Sequence, residues 1–223
     1  MTGKRKLTTG KIVIYCVIFF AVWTFREIVV RPVWLNQFDG LTWHILESSM
    51  KLLVWTLSAI LLIKYFQDDM CIGLKEMFTT KPRWFKGAWI VILIMLLPIF
   101  QALIFGGRLS IDPNFESTSL IQGVMFAGIT EELVFRGFLL NTFLKRMKMW
   151  KAILLDAALF ALIHFPIWIY SEFTISDFLL ATPQVMLLST VFAYSFIKTK
   201  NIFIPIAIHM LWNLLVITLY FGG

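Results

Sequence analysis

The sequence predicts an all-α, polytopic transmembrane helix bundle of about seven membrane-spanning helices, with its N-terminus in the cytoplasm. Three observations predict it. Hydrophobic residues make up 59% of the 223 and charged residues only 15%, with a mean hydropathy of +0.82. A soluble domain averages about 45–50% apolar and about 25% charged. The apolar residues gather into runs of roughly 20, the length that crosses a bilayer as a helix. The basic residues between those runs alternate between abundant and scarce, as positive-inside topology requires.

The runs are, in order, roughly 12–30, 46–66, 87–106, 118–142, 151–170, 178–197 and 201–221. The first follows Lys4-Arg5-Lys6, is interrupted by Arg26-Glu27, and carries no clear small-x-small cleavage site, so it reads as an uncleaved signal anchor. The second holds Glu47 and Lys51 near its outer end, where a lysine is expected to snorkel to the interface. The third, Gly87 to Gly106, is the cleanest, with Pro98 as a kink. The fourth, fifth and seventh carry ionisable residues, and the sixth carries no such group at its centre. Ten-residue alternating segments, the mark of a membrane β-barrel, do not occur. A helix satisfies its own backbone in lipid within one segment. The runs leave no room for a separate soluble domain, so 1–223 reads as a single integral membrane unit.

Loop charge tests the count. Lys4, Arg5, Lys6 and Lys11 precede the first run, and Lys64, Lys75, Lys81, Arg83 and Lys86 follow the second. Lys145, Arg146, Lys148 and Lys151 follow the fourth, and Lys198 and Lys200 the sixth. These fifteen share one side, against Arg26, Arg31 and Arg108 on the other. A missed or extra helix would scramble that split. The same placement explains the net charge of +7 without nucleic acid, since no basic tail or basic stripe with interleaved aromatics occurs. Cys16 and Cys71 have no Cys or His at metal-ligand spacing and read as structural thiols.

The informative residues are those that hydrocarbon should exclude. Glu131-Glu132 and Arg136 lie in the fourth run, Phe160 and His164 in the fifth, and His209 and Asn213 in the seventh. An ionisable group at mid-bilayer costs about 2.5–3.5 kcal/mol on insertion scales, so such groups usually work together. Glu132 and Arg136 are four apart and can pair on one helix face. Glu131 points ~100° away and has no i+4 cation, which leaves it free for chemistry. From the basic side, Glu131 lies ~21 Å along its helix, His164 ~20 Å, His209 ~14 Å and Asn213 ~20 Å. The depths overlap. His44, in the first outer loop, takes no role, and Asp156 is expected to be solvated at the cytoplasmic mouth.

A carboxylate with an imidazole can activate water as a general base. A second imidazole and a carboxamide can donate to a developing oxyanion. That set suffices for amide hydrolysis. Two histidines and one or two glutamates can equally ligate zinc with water in the open position. The His-Glu-x-x-His motif of soluble zinc proteases is absent, and so is Gly-x-Ser-x-Gly.

Taken in order, Glu131-Glu132-x-x-x-Arg136, Phe160-x-x-x-His164 and His209-x-x-x-Asn213 on three separate apolar segments resemble the motifs of the CPBP family. This family, also called Abi, comprises intramembrane proteases, including type II CAAX prenyl endopeptidases, and bacteriocin-processing and immunity proteins. The resemblance covers about 118–217. It implies that Glu131 is the general base on water, assisted by His164, that His209 and Asn213 support the oxyanion, and that Glu132 and Arg136 shape the site. Phe160 is expected to pack beneath His164. Both a zinc mechanism, with Glu131, His164 and His209 as ligands, and a metal-free glutamate mechanism have been assigned to the family. The prenyl-protein endopeptidases of the family have eight helices, one more than counted here, so a small membrane-associated or secreted peptide is the expected substrate.

Three functions therefore compete: an intramembrane endopeptidase acting on a peptide or protein at the membrane, a non-catalytic bacteriocin-immunity or scaffold protein of the same fold, and a small ion or proton transporter. A transporter would show broken helices or inverted repeats, and the sequence shows neither. The expected location is the cell membrane, multi-pass, in a compact bacterial arrangement. Substrate identity and oligomeric state are not legible.

Overall fold

A computed structural model describes residues 7–81 and 120–222, together with Leu96, the 108–111 segment, Phe115 and Thr118. The apolar run at 87–106 lies outside the described residues.

The described residues are helical apart from one small ribbon and the connecting turns. Seven helices are described: α1 Thr9–Gln37, α2 Gly40–Tyr65, α3 Leu74–Thr79, α4 over 120–144, α5 Met149–Tyr170, α6 Ile175–Thr199 and α7 Phe203–Thr218. Strands β1 (Arg108–Ile111) and β2 (Leu219–Gly222) pair antiparallel, Arg108 opposite Gly222. The seventh apolar run thus ends as helix at Thr218 and finishes as strand, not as helix to 221 as its apolar composition suggests. The tail, with Tyr220-Phe221 at its centre, finds a ladder partner in the segment that precedes α4.

Four helices, α1, α2, α5 and α6, are long and apolar enough to cross a membrane. The α4 helix is comparably long, ~37 Å at 1.5 Å per residue, but it carries three ionisable residues. The chain is a multi-pass membrane protein, and its surface agrees. Val13, Ile14, Val17 and Ile18 on α1 and Leu179, Leu180 and Leu187 on α6 are exposed, while Glu132, Arg136, Asn141 and Asp156 are fully buried. Polar groups inside and apolar groups outside invert the soluble pattern.

At the centre stands α4. Every residue from Leu133 to Leu140 is buried, with α2 on one flank and α5, α6 and α7 around the rest. Burial on all sides is what an all-round apolar helix requires. The helix is wound more widely than an α-helix over Leu120–Phe126 and Leu133–Leu140. Its hydroxyls do not disturb the packing, because Thr130 donates to the Phe126 carbonyl and Thr142 to that of Phe138. The aromatic core beside it runs from Phe19 and Trp23 of α1 through Trp55 of α2 to Phe135 and Phe160.

Polar clamps close the basic end. Asn141 donates to the Ile72 carbonyl and accepts from its N–H, acting as a strand partner for an irregular loop. Arg146 donates to the carbonyls of Leu7, Asp69 and Thr142. Loop backbone that would otherwise lack partners is satisfied in this way.

Two features differ from simple apolar rods. The fifth run is broken: α5 turns at Ile163-His164 before Phe165–Tyr170 resumes. Pro166 lacks an N–H and its ring crowds the carbonyl four residues back, at Leu162, so the helix cannot pass straight through. The first run is not ended by Arg26-Glu27, because those charges find partners and are buried within α1.

Candidate active site

Glu131 and Glu132 are successive residues of α4 and meet different neighbours. Glu132 is fully buried. Its Oε1 accepts from Arg136 NH1 at 3.0 Å and lies 2.8 Å from His209 Nδ1 of α7. Arg136 is held further by the Ser189 carbonyl and hydroxyl of α6, at 2.9 and 2.6 Å. Its Nε lies 3.5 Å from Asp156 Oδ2 of α5, and its guanidinium covers the Phe160 ring at 4.6 Å. The i, i+4 pair read from sequence is therefore real, and it is the hub of four helices.

His209 reaches Glu132 because α4 and α7 approach closely. A Cβ on Gly128 would come within 2.6 Å of Met210 Cγ and 3.5 Å of the Ile206 carbonyl. Glycine at this position lets the backbones touch. Phe192 stacks on His209 with ring centroids 4.8 Å apart. A carboxylate at Nδ1 makes that nitrogen the donor, so a neutral His209 presents a lone pair at Nε2. Only as imidazolium does Nε2 become a hydrogen-bond donor.

Glu131 turns toward a separate polar space. Its Oε1 accepts from Lys51 Nζ of α2 at 2.9 Å, and its Oε2 lies 3.8 Å from His209 Nε2, beyond direct hydrogen-bond range. Sequence spacing left Glu131 without a cation and sent Lys51 outward to the interface. Both expectations are corrected by the same contact. The partner comes from another helix, which i+4 reasoning cannot detect, and Lys51 lies inward with its ammonium over the Trp55 ring.

His164 faces the same space from the break in α5. Its Nδ1 donates to the Phe160 carbonyl at 2.7 Å, which leaves Nε2 for the cavity. The cavity holds about 180 Å³ and is lined by Glu131, His164, Lys51, Trp55 and, from α1 and α2, Glu27, Arg31 and Glu47. Glu131 and His164 share this cavity, and His209 stands beside Glu131 at 3.8 Å without lining it. Phe160 packs between His164, His209 and Arg136, as expected.

Two residues stand elsewhere than expected. Asp156 is fully buried beside Arg136 rather than solvated at the mouth. A full turn of helix hides it, and the guanidinium supplies the opposite charge that burial demands. Asn213 donates to the Gly123 carbonyl at 2.8 Å and ties α7 to α4, so its amide nitrogen is committed to backbone and not to the cavity.

The zinc alternative can be tested on the donors. Among the described residues no three of His, Cys, Asp and Glu stand together as metal ligands. His209 and His164 each spend Nδ1 and keep Nε2, as a zinc-bound imidazole does, but the position beside Glu131 is filled by the Lys51 ammonium. A cation already compensates that carboxylate. As placed, the set does not fit a zinc ion.

The residues missed from sequence are those on α1 and α2: Glu27, Arg31, Glu47 and Lys51. Charges inside an apolar run were their one visible signal.

Residues 113–215 match the model of the family described as Type II CAAX prenyl endopeptidase Rce1-like. The curated proteins and the solved structures give no match. The matched residues include α4 through most of α7, and with them Glu131, Glu132, Arg136, Phe160, His164, His209 and Asn213. Over those residues, somewhat under half of the chain, the protein is similar to the type II CAAX prenyl endopeptidases.

Proposed function

We propose that this protein is an intramembrane endopeptidase that hydrolyses a peptide bond in a membrane-associated peptide or protein. One observation carries the reading: Glu131 and His164, from two helices, line one polar cavity, and His209 of a third helix stands 3.8 Å from Glu131. Mid-membrane ionisable groups that share a cavity mark a functional site.

In this reading a water lies between Glu131 Oε2 and the two imidazoles. The 3.8 Å separation of Oε2 from His209 Nε2 suits a bridging water. Glu131 takes a proton from that water as its oxygen attacks the scissile carbonyl. His164, whose Nδ1–H is spent on the Phe160 carbonyl, accepts from the attacking water at Nε2, and the oxyanion that forms is stabilised by the imidazolium form of His209. The Glu132 carboxylate at Nδ1 fixes the orientation of the His209 ring, as the buried aspartate does in a serine protease triad. The tetrahedral adduct collapses, the C–N bond breaks, and the proton held by Glu131 passes to the leaving amine. Asn213 contributes by holding α7 against α4, and reaches the oxyanion only by letting go of Gly123. Glu132 and Arg136 hold the frame. No step uses a metal.

The charge distribution along the loops supports a cytoplasmic N-terminus and about seven spans, in a bacterial plasma membrane. The family match supports a prenylated C-terminal peptide as the first substrate to try. The deciding experiment measures cleavage of a quenched-fluorescent farnesylated CAAX peptide by wild type, Glu131→Gln and His164→Ala at matched membrane expression. Loss of cleavage in both variants is expected. Wild-type rates in both would overturn the enzyme reading and favour a non-catalytic binding protein.

A further inference from the structure

The cavity wall that faces Glu131 comes from α1 and α2, outside the residues that match the family. Lys51 of α2 is the cation on Glu131, with both side chains largely buried (16% and 10% exposed). Lys51 has a competing partner. Glu47 is one turn earlier on the same helix, lines the same cavity, and at i, i+4 is the natural mate of a lysine. Glu47 is instead engaged by Arg26 of α1. Arg26 also binds Glu27, whose second oxygen is held by Arg31 at 3.1 Å. The charges thus form an ordered layer: Arg31, Glu27, Arg26 and Glu47 are paired in series, and Lys51 is left to α4.

We propose that Lys51 is a positioning residue for Glu131, and that Arg26 keeps it there by sequestering Glu47. The proposal rests on the reading of Glu131 as the base. Lys51 fixes Oε1 and thereby turns Oε2 toward His209 and the cavity. Its charge also compensates an ionised carboxylate in a water-poor interior, where an unpaired charge is costly. If Arg26 is lost, Glu47 is freed and draws Lys51 back along its own helix.

The test uses the full-length protein in detergent and the farnesylated CAAX peptide. Lys51→Met preserves length and apolar packing. It is expected to lower kcat roughly ten- to a hundredfold, the value of one charge-assisted hydrogen bond, with KM unchanged. Lys51→Arg should recover most of the rate. Arg26→Met should lower kcat likewise, and adding Glu47→Gln should restore it, because the competitor and the unpaired charge are removed together. A wild-type kcat in Lys51→Met, a change in KM alone, or no recovery in the Arg26→Met/Glu47→Gln double variant overturns the proposal. Thermal unfolding of Lys51→Met, Glu131→Gln and their combination gives a readout independent of cleavage. Non-additive shifts are expected, and additive ones overturn the pairing. Activity retained in Glu131→Gln would sink the base reading itself, while the unfolding cycle still reports on Lys51.

Discussion

His209 Nδ1 lies 2.8 Å from Glu132 Oε1, and the same oxygen accepts from Arg136 at 3.0 Å. One carboxylate atom therefore joins the only cation of α4 to the imidazole of α7. Glu132→Gln should strip both contacts of charge and leave Asp156 as the one carboxylate beside Arg136 among the described residues. Removing one member of a buried ion pair typically costs about 3–5 kcal/mol. A lower unfolding temperature in detergent together with lost cleavage is the expected result, whereas Glu131→Gln should lose cleavage with a smaller effect on stability.

Gly128 and Gly123 make an internally controlled pair. An alanine Cβ at 128 would meet Met210 near its backbone, at Cγ, and at 123 the flexible end of Ile217, at Cδ1. Gly128→Ala should push α7 away from α4 and separate His209 from Glu132, costing about 1–3 kcal/mol. Gly123→Ala should be tolerated after a rotamer change in Ile217. Thermal unfolding and cleavage rates of the two variants check the difference.

Cys71 is exposed in the loop after α2, while Cys16 is half-buried in α1. If the basic loops face the cytoplasm, a membrane-impermeant maleimide should label Cys71 in inverted vesicles and spare it in intact cells. Cys71→Ser should abolish the signal. Labelling in intact cells would reverse the topology.

Chelation should not matter to a site whose carboxylate is compensated by Lys51. Overnight EDTA treatment followed by desalting is expected to leave the cleavage rate unchanged, and elemental analysis of purified protein should find less than one zinc per chain. Loss of activity restored by added zinc would contradict the metal-free reading.

Depth along a helix was readable from the sequence, and contact between helices was not. Rise per residue, counted from the basic loops, placed Glu131 and His164 near one level and His209 about a turn lower; Glu131 and His164 share the cavity, and His209 stands 3.8 Å from Glu131. The i, i+4 rule found Glu132–Arg136, because that pairing is fixed by local geometry. The same rule missed Lys51–Glu131, which joins residues eighty positions apart, and Ser189 on Arg136. Asp156 looked solvated because a lone acid near a helix end usually is, and only its neighbours' packing decides otherwise. The break at His164 was latent in Phe165-Pro166, but a long apolar run concealed it. The Arg26-Glu27 pair reads in sequence as an interruption of the first run, since charge in lipid is costly until a partner for it is known.

The wall of the cavity is divided along the chain. Residues 113–215 supply the carboxylate and the imidazoles, and α1 and α2 supply the ammonium that faces them. A shortened version made only of the matched part would carry its acid without a counter-ion. It would also expose the flank of α4 that Trp55, Ala59 and Ile63 now cover. Exchanging the first two helices between relatives, by contrast, would leave the reacting groups in place and alter what can reach them.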